Sequence, residues 1–140
     1  MRKLIAAAAL LALLFCSLIP SVSFTEDRDT ILHARTIYAL GKGESYETKL
    51  ALGTVVMNRV ENPWFGDSIG EVLRDQQQFP AGRRYDDESL RAAHELLSGK
   101  RALGSDALYY QAADASAPWG GENRVDSLGN YNFYSESGNN

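Results

Sequence analysis

The stretch from residue 27 to residue 62, two helical segments meeting at a glycine corner, constrains this chain more than any other feature. Asp27 or Asp29 can cap the first helix, and Ile31, Ala34, Ile37 and Tyr38 recur at spacings of three and four along one face. Gly41 and Gly43, two glycines within three residues, end that helix. Ser45 can cap the second helix, which runs to about Val60 with Leu52, Val55, Val56 and Val60 as its buried stripe. Asn62-Pro63 then stops it.

Further on, Ser68-Ile69-Gly70-Glu71 has the spacing of a capping box and opens a short third helix through Arg74. Asp86 and Asp87 precede Leu90, Ala93, His94 and Leu97, a fourth helical stripe closed by Gly99. The pattern then changes. Ala107-Leu108-Tyr109-Tyr110 and Tyr131-Asn132-Phe133-Tyr134 are short aromatic runs suited to strands, with a loop rich in Gly, Ser, Asn and Pro between them. If the strands alternate faces, Leu108 and Phe133 are the buried members. Ser135 to Asn140 reads as a frayed polar end. The expected class is α+β, mostly helical, with a small antiparallel β pair near the C-terminus.

The N-terminus has a separate logic. Arg2 and Lys3 precede an unbroken apolar run from Leu4 to Phe15, Pro20 ends it, and Ser21-Val22-Ser23 offers a small-x-small cleavage pattern. Residues 1–23 are therefore read as a secretion signal and 24–140 as one domain with its core at about 29–135. A retained membrane anchor competes with that reading, but a spanning helix needs about 20 apolar residues. A lipidated Cys16 would follow the bulky Phe15 where a small residue is expected. Cleavage removes the only cysteine, so the domain holds no disulfide and rests on its core. It also removes Arg2 and Lys3 from the 14 basic residues, leaving 12 against 18 acidic ones, a net charge of −6. That balance disfavours a nucleic-acid partner and is read as solubility outside the cell.

Few kinds of chemistry fit the remaining residues. His33 and His94 are the only histidines, neither has a histidine four residues away, and no metal site is expected. His94 is read as packing or capping within its helix stripe and His33 as solvated. No Gly-x-Ser-x-Gly elbow or phosphate-binding glycine loop is present. Carboxylate chemistry remains. Glu44 follows the first helix, beside Gly43, Ser45 and Tyr46. A carboxyl shielded there by aromatic rings can serve as a general acid, and glycosidic cleavage needs one to protonate the leaving oxygen. The competing reading is a charge placed ahead of the second helix, worth about 0.3–1 kcal/mol.

From Ile31 to Val60 the chain reads Ile-Leu-His-Ala-Arg-Thr-Ile-Tyr-Ala-Leu-Gly-Lys-Gly-Glu-Ser-Tyr-Glu-Thr-Lys-Leu-Ala-Leu-Gly-Thr-Val-Val-Met-Asn-Arg-Val. It resembles the SleB-type cell-wall hydrolases, the spore-cortex-lytic enzyme family, with their Ile-Tyr-Gly-Glu-Ala-Arg-Gly-Glu-x-Tyr-Glu and later Asn-Arg-Val. Phe65 to Val72, Gln78-Phe79, Ala107-Leu108-Tyr109-Tyr110, Trp119 and Gly129-Asn130-Tyr131-Asn132-Phe133-Tyr134 continue the resemblance in order. It implies a lysozyme-like, lytic-transglycosylase-like domain that cleaves peptidoglycan glycan strands without a cofactor. One glutamate acts as acid and then base, and the address is secreted, cell-wall or periplasmic, with no membrane association after cleavage.

Two departures from the pattern bear on mechanism. The family's first glutamate, usually taken as catalytic, falls at Leu40, and its ending histidine falls at Tyr131. Glu44 matches the second glutamate and Glu47 the third. A helical turn separates positions 40 and 44 by about 5–6 Å, and about 1 Å of misplacement can cost a hundredfold in rate. Glu44 is the candidate acid/base, with Glu47 supporting it. Tyr46, Gln78, Phe79, Tyr109, Trp119 and Tyr131 are the candidate substrate contacts, Trp119 as a sugar-stacking ring. Arg35 and Arg59 are read as scaffold paired with carboxylates. The alternatives are a homologue that binds peptidoglycan without cutting it, and a regulatory partner of another cell-wall protein.

Overall fold

A computed structural model describes residues 27–136; the expected signal segment and the end of the polar tail lie outside the described residues. Helix α1 (Arg28–Gly41) starts where the Asp27 carboxylate accepts the Thr30 N–H at 2.8 Å. Helix α2 (Tyr46–Val60) starts where Ser45 Oγ accepts the Thr48 N–H. Each cap satisfies a backbone donor that the first helical turn leaves open. Helix α3 (Ile69–Val72) is capped by Ser68 and ends two residues before the expected Arg74. The Glu71 carboxylate reaches back to the Asp67 N–H at 2.8 Å, one residue beyond the usual box partner. Helix α4 (Asp87–Leu97) begins at Asp86, which accepts the Ser89 N–H. Among the described residues no helix is long and apolar enough to cross a membrane.

Helix α2 is the axis of the core. Every residue from Thr48 to Arg59 is buried, because α1, α3, α4 and the sheet together surround it. The stripe expected on α4 is rotated. Ser89, Ala92, Ala93 and Leu96 face inward, whereas Leu97 is 39% exposed and His94 is at the surface. Small residues on the inner face let α4 lie close against α1 and α2. His33 also differs from expectation. It is fully buried, and its Nε2–H donates to the Gly53 carbonyl at 3.0 Å, tying α1 to α2. Burial disfavours the charged ring and lowers its pKa to about 4.

The β region has three strands, not two: β1 (Tyr109–Ala112), β2 (Arg124–Leu128) and β3 (Tyr131–Tyr134), antiparallel in the order β1-β3-β2. Tyr109 pairs with Tyr134 and Ala112 with Tyr131. On the other side Arg124 pairs with Tyr134 and Leu128 with Tyr131, with a bulge at Val125. The sequence Arg-Val-Asp-Ser-Leu of β2 is exposed almost throughout and carries no apolar alternation, so only pairing with β3 makes it a strand. Leu108 and Phe133 are buried as expected, and so are Tyr110 and Tyr134.

The C-terminal half of α2 grips the chain entering β1. Asn58 Nδ2 donates to the carbonyls of Gly104 and Ala107, and Arg59 Nε donates to that of Leu108 at 2.7 Å. Arg59 is 1% exposed, with its Cζ 4.6–4.9 Å from the ring centroids of Phe65, Phe79 and Tyr109 and Nη1 3.0 Å from Asp75. A buried guanidinium needs both paired charge and filled donors. Here it has both, and it fastens helix to sheet.

Candidate active site

Glu44 stands where the α1–α2 corner meets the β2–β3 hairpin. Its N–H donates to the Gly41 carbonyl at 2.9 Å, which closes the end of α1 and turns the side chain toward the sheet. Glu44 is half-buried as a residue, and its carboxylate faces solvent. Asn130 Nδ2 donates to its Oε1 at 2.7 Å across 86 residues of sequence. Gly129 and Asn130 form the two-residue turn of the hairpin. Only Gly129 has a positive φ, +55°, the pattern of a type II′ turn with glycine first. A Cβ on Gly129 would lie 2.5 Å from Glu44 Oε2 and 2.6 Å from Thr48 Oγ1, so a bare backbone is what lets the carboxylate lie over the turn.

Tyr131, the next residue, reaches under the same corner. Its hydroxyl donates to the Leu40 carbonyl at 2.6 Å, and its ring meets Tyr110 edge-on with centroids 5.6 Å apart. Burial raises the Tyr131 pKa, and the nearby charges of Glu44 and Asp114 raise it further. The two positions at which the chain departs from the SleB-type pattern, Leu40 and Tyr131, are therefore neighbours in space. One hydrogen bond joins them, from the Tyr131 hydroxyl to the Leu40 main chain.

The other expected site residues are distributed differently. Glu47 is exposed in the first turn of α2, and among the described residues no side-chain hydrogen bond joins it to Glu44. Tyr46 turns onto α4, where the Arg91 guanidinium lies 4.0 Å from its ring centroid. Phe79 is 1% exposed and belongs to the core. Gln78 is committed to the backbone of β1. Its Oε1 accepts the Tyr110 N–H at 3.2 Å, its Nε2 donates to the Tyr110 carbonyl at 3.3 Å, and its own carbonyl accepts the Tyr110 hydroxyl. Arg59 forms the scaffold pair expected of it, whereas Arg35 pairs with no carboxylate among the described residues. Tyr109 and Trp119 share a separate cavity at the other end of β3 from Glu44. Asn130 and Gly129 were missed as site residues. The available signal was a Gly-Asn dipeptide between two strand-like segments, a hairpin signature.

A helical lobe and a small antiparallel sheet, with a glutamate at the corner between them, make up a lysozyme-like fold. Residues 43–134 match the model of the cell wall hydrolase family, and the chain belongs to that family. It is 29% identical over 99 residues to a spore cortex-lytic enzyme of Halalkalibacterium halodurans, covering 66% of this chain and 30% of that protein. A spore cortex-lytic enzyme of Bacillus subtilis is 29% identical over 114 residues, covering 76% of this chain and 37% of that protein. The chain thus spans about a third of the length of these relatives. The catalytic domain of Bacillus cereus SleB superposes with a TM-score of 0.68 at 22% identity, covering 83% of this chain and 97% of that one. The catalytic domain of a germination-specific lytic transglycosylase, SleB of Bacillus anthracis, gives the same TM-score and identity over 81% of this chain and all of that one.

Proposed function

We propose that the domain cleaves the glycan strands of peptidoglycan outside the cytoplasm, with Glu44 as the acid/base. The observation that carries this reading is the placement of the Glu44 carboxylate between the helical lobe and the hairpin turn. One oxygen is held by Asn130 and the other lies over Gly129. A carboxyl anchored through one oxygen keeps a defined orientation for proton transfer through the other, which is what general acid catalysis asks of geometry. In the forward step Glu44, protonated, donates its proton to the glycosidic oxygen as the bond from that oxygen to C1 breaks. The carboxylate left behind then takes a proton from the nucleophile attacking C1. Water gives a hydrolysed end, and the sugar's own hydroxyl gives an anhydro end. No cofactor enters either route.

The second reading is a domain that binds peptidoglycan without cutting it, and the identities of Leu40 and Tyr131 favour it. Neither side chain exchanges a proton near neutral pH, and they stand at the two positions where the family pattern has a glutamate and a histidine. Incubating the secreted protein, Glu44→Gln and Leu40→Glu with purified sacculi, and weighing the released muropeptides by mass spectrometry, separates the readings. The acid/base role predicts release by the parent and none by Glu44→Gln. Cutting that survives in Glu44→Gln refutes that role. An inactive parent that still pellets with sacculi and gains activity on Leu40→Glu establishes the binding reading instead. The mass difference of one water between products assigns hydrolysis or the anhydro route.

A further inference from the structure

We propose that Asp114, in the turn that follows β1, is a second catalytic carboxylate. It stays ionised and stabilises the positive charge that develops at C1 and the ring oxygen as Glu44 protonates the leaving group. This role rests on the glycan-cleaving reading above, and it goes beyond the single-glutamate chemistry that the family resemblance implies.

Backbone pairing brings Asp114 to the corner. The β1–β3 ladder ends with Ala112 opposite Tyr131, but the Ala113 N–H still donates to the Asn130 carbonyl at 2.8 Å. Asn130 is the residue whose amide holds Glu44. One residue thus receives both segments, Glu44 on its side chain and Ala113 on its main chain. The Ala115 N–H then donates to the Ala112 carbonyl at 3.1 Å, which curls the chain away and leaves Asp114 at the bend. Tyr131 gives an independent sign of this placement. Its hydroxyl feels the charges of both Glu44 and Asp114, and each raises its pKa. The two carboxylates therefore come to one phenol, Glu44 from the helical corner and Asp114 from the end of β1.

Asp114 has no structural task. It is exposed, and among the described residues it makes no side-chain hydrogen bond or ion pair. It neither caps a helix, as Asp27 and Asp86 do, nor pairs with an arginine, as Asp75 does. In water such a charge acts weakly, because solvent screens it. A glycan strand lying across the corner displaces that water, and the same charge then acts far more strongly. Breaking the bond from C1 to the glycosidic oxygen spreads positive charge over C1 and the ring oxygen. A carboxylate facing that charge stabilises the transition state and not the neutral bound ring, which is the condition for accelerating the step. Leu40 offers no charge for the purpose. No proton moves to or from Asp114, and Glu44 keeps both transfers.

The test measures muropeptide release from soluble, uncross-linked peptidoglycan strands across a range of pH, with the secreted protein, Asp114→Asn and Asp114→Glu. Asp114→Asn keeps the size and removes the charge. It should lower kcat about a hundredfold with KM nearly unchanged, and Asp114→Glu should recover part of the loss. The acid side of the pH–rate profile, where a required carboxylate takes up its proton, should vanish in Asp114→Asn, while the basic side set by Glu44 remains. A merely structural role moves neither side. Far-UV circular dichroism checks the fold of each variant. The titration of Tyr131, followed by NMR on Cζ-labelled tyrosine and assigned with Tyr131→Phe, reads the placement without any cutting, and Asp114→Asn should lower its pKa. Full kcat in Asp114→Asn, from a protein that needs Glu44, overturns this role and leaves the Glu44 reading standing. A Tyr131 titration indifferent to Asp114→Asn overturns it whatever the cutting assay shows. A parent that releases nothing removes both.

Discussion

Replacing Gly129 by alanine adds one methyl group at the point where the hairpin turn supports the Glu44 carboxylate. Two costs follow, and they fall on different properties. The φ of +55° is unfavourable for a residue with a Cβ, costing about 1–2 kcal/mol of stability. The new carbon would also sit 2.5 Å from Glu44 Oε2 and 2.6 Å from Thr48 Oγ1, against ordinary contact at 3.4 Å or more. The flexible end of Glu44 must then yield by about 0.9 Å, and the contact with Thr48 must be relieved by a turn of that side chain or a small shift of the hairpin. A displacement near 1 Å in a reacting group can cost about a hundredfold in rate. The expectation is therefore a roughly hundredfold fall in kcat for muropeptide release, with the domain still folded and its urea midpoint lowered modestly. Gly99→Ala is the control. Gly99 also has a positive φ, +107°, but a Cβ there meets nothing within 4 Å and it lies beyond α4, far along the chain from the site. It should lose stability and keep kcat. Equal activity losses in the two variants, or full activity in Gly129→Ala, would refute the argument that the turn positions the carboxylate.

Other outcomes follow from the same packing. His33 is neutral in the fold, with its pKa lowered from 6.5 to about 4. The unfolded chain therefore binds the extra proton first, and stability is complete above pH 6.5 and lost as pH falls toward 4. The full effect is about 3 kcal/mol, of which about 2 kcal/mol goes between pH 7 and pH 5. Urea unfolding across that window should show this slope in the parent and a shallower one in His33→Leu; parallel slopes would contradict it. Arg59→Ala opens a hole among three rings and leaves the Leu108 carbonyl without its donor, and should cost about 3–5 kcal/mol in chemical denaturation. Asp75→Asn, whose side chain is 44% exposed, should cost much less. Tyr131→Phe leaves the Leu40 carbonyl without its donor, and a loss of about 1 kcal/mol is expected by thermal unfolding. A melting curve unchanged from the parent would show that the 2.6 Å bond contributes nothing.

Local chemistry determined much of this protein before any tertiary contact. The caps at Asp27, Ser45, Ser68 and Asp86 and the stops at Gly41 and Gly99 are short-range, so the helices could be placed from their own residues. The order of motifs from Tyr38 to Tyr134 likewise carried the family. What needed the fold was every feature depending on residues far apart in sequence. His33 on a helix face gives no sign of whether α2 or water covers it, and packing against Gly53 decided that it is buried. On α4 the larger apolar residues suggested one face, but close approach to α1 and α2 selected the face with Ser89, Ala92 and Ala93. Strand β2 has no pattern of its own and exists because β3 offers hydrogen bonds on both edges. The site shows the same division. Glu44 could be named from its neighbours in sequence, but Asn130, 86 residues away, comes to it only when the hairpin docks against the helical corner. The meeting of Leu40 with Tyr131 under that corner is likewise a product of docking, since no local rule relates residues so far apart.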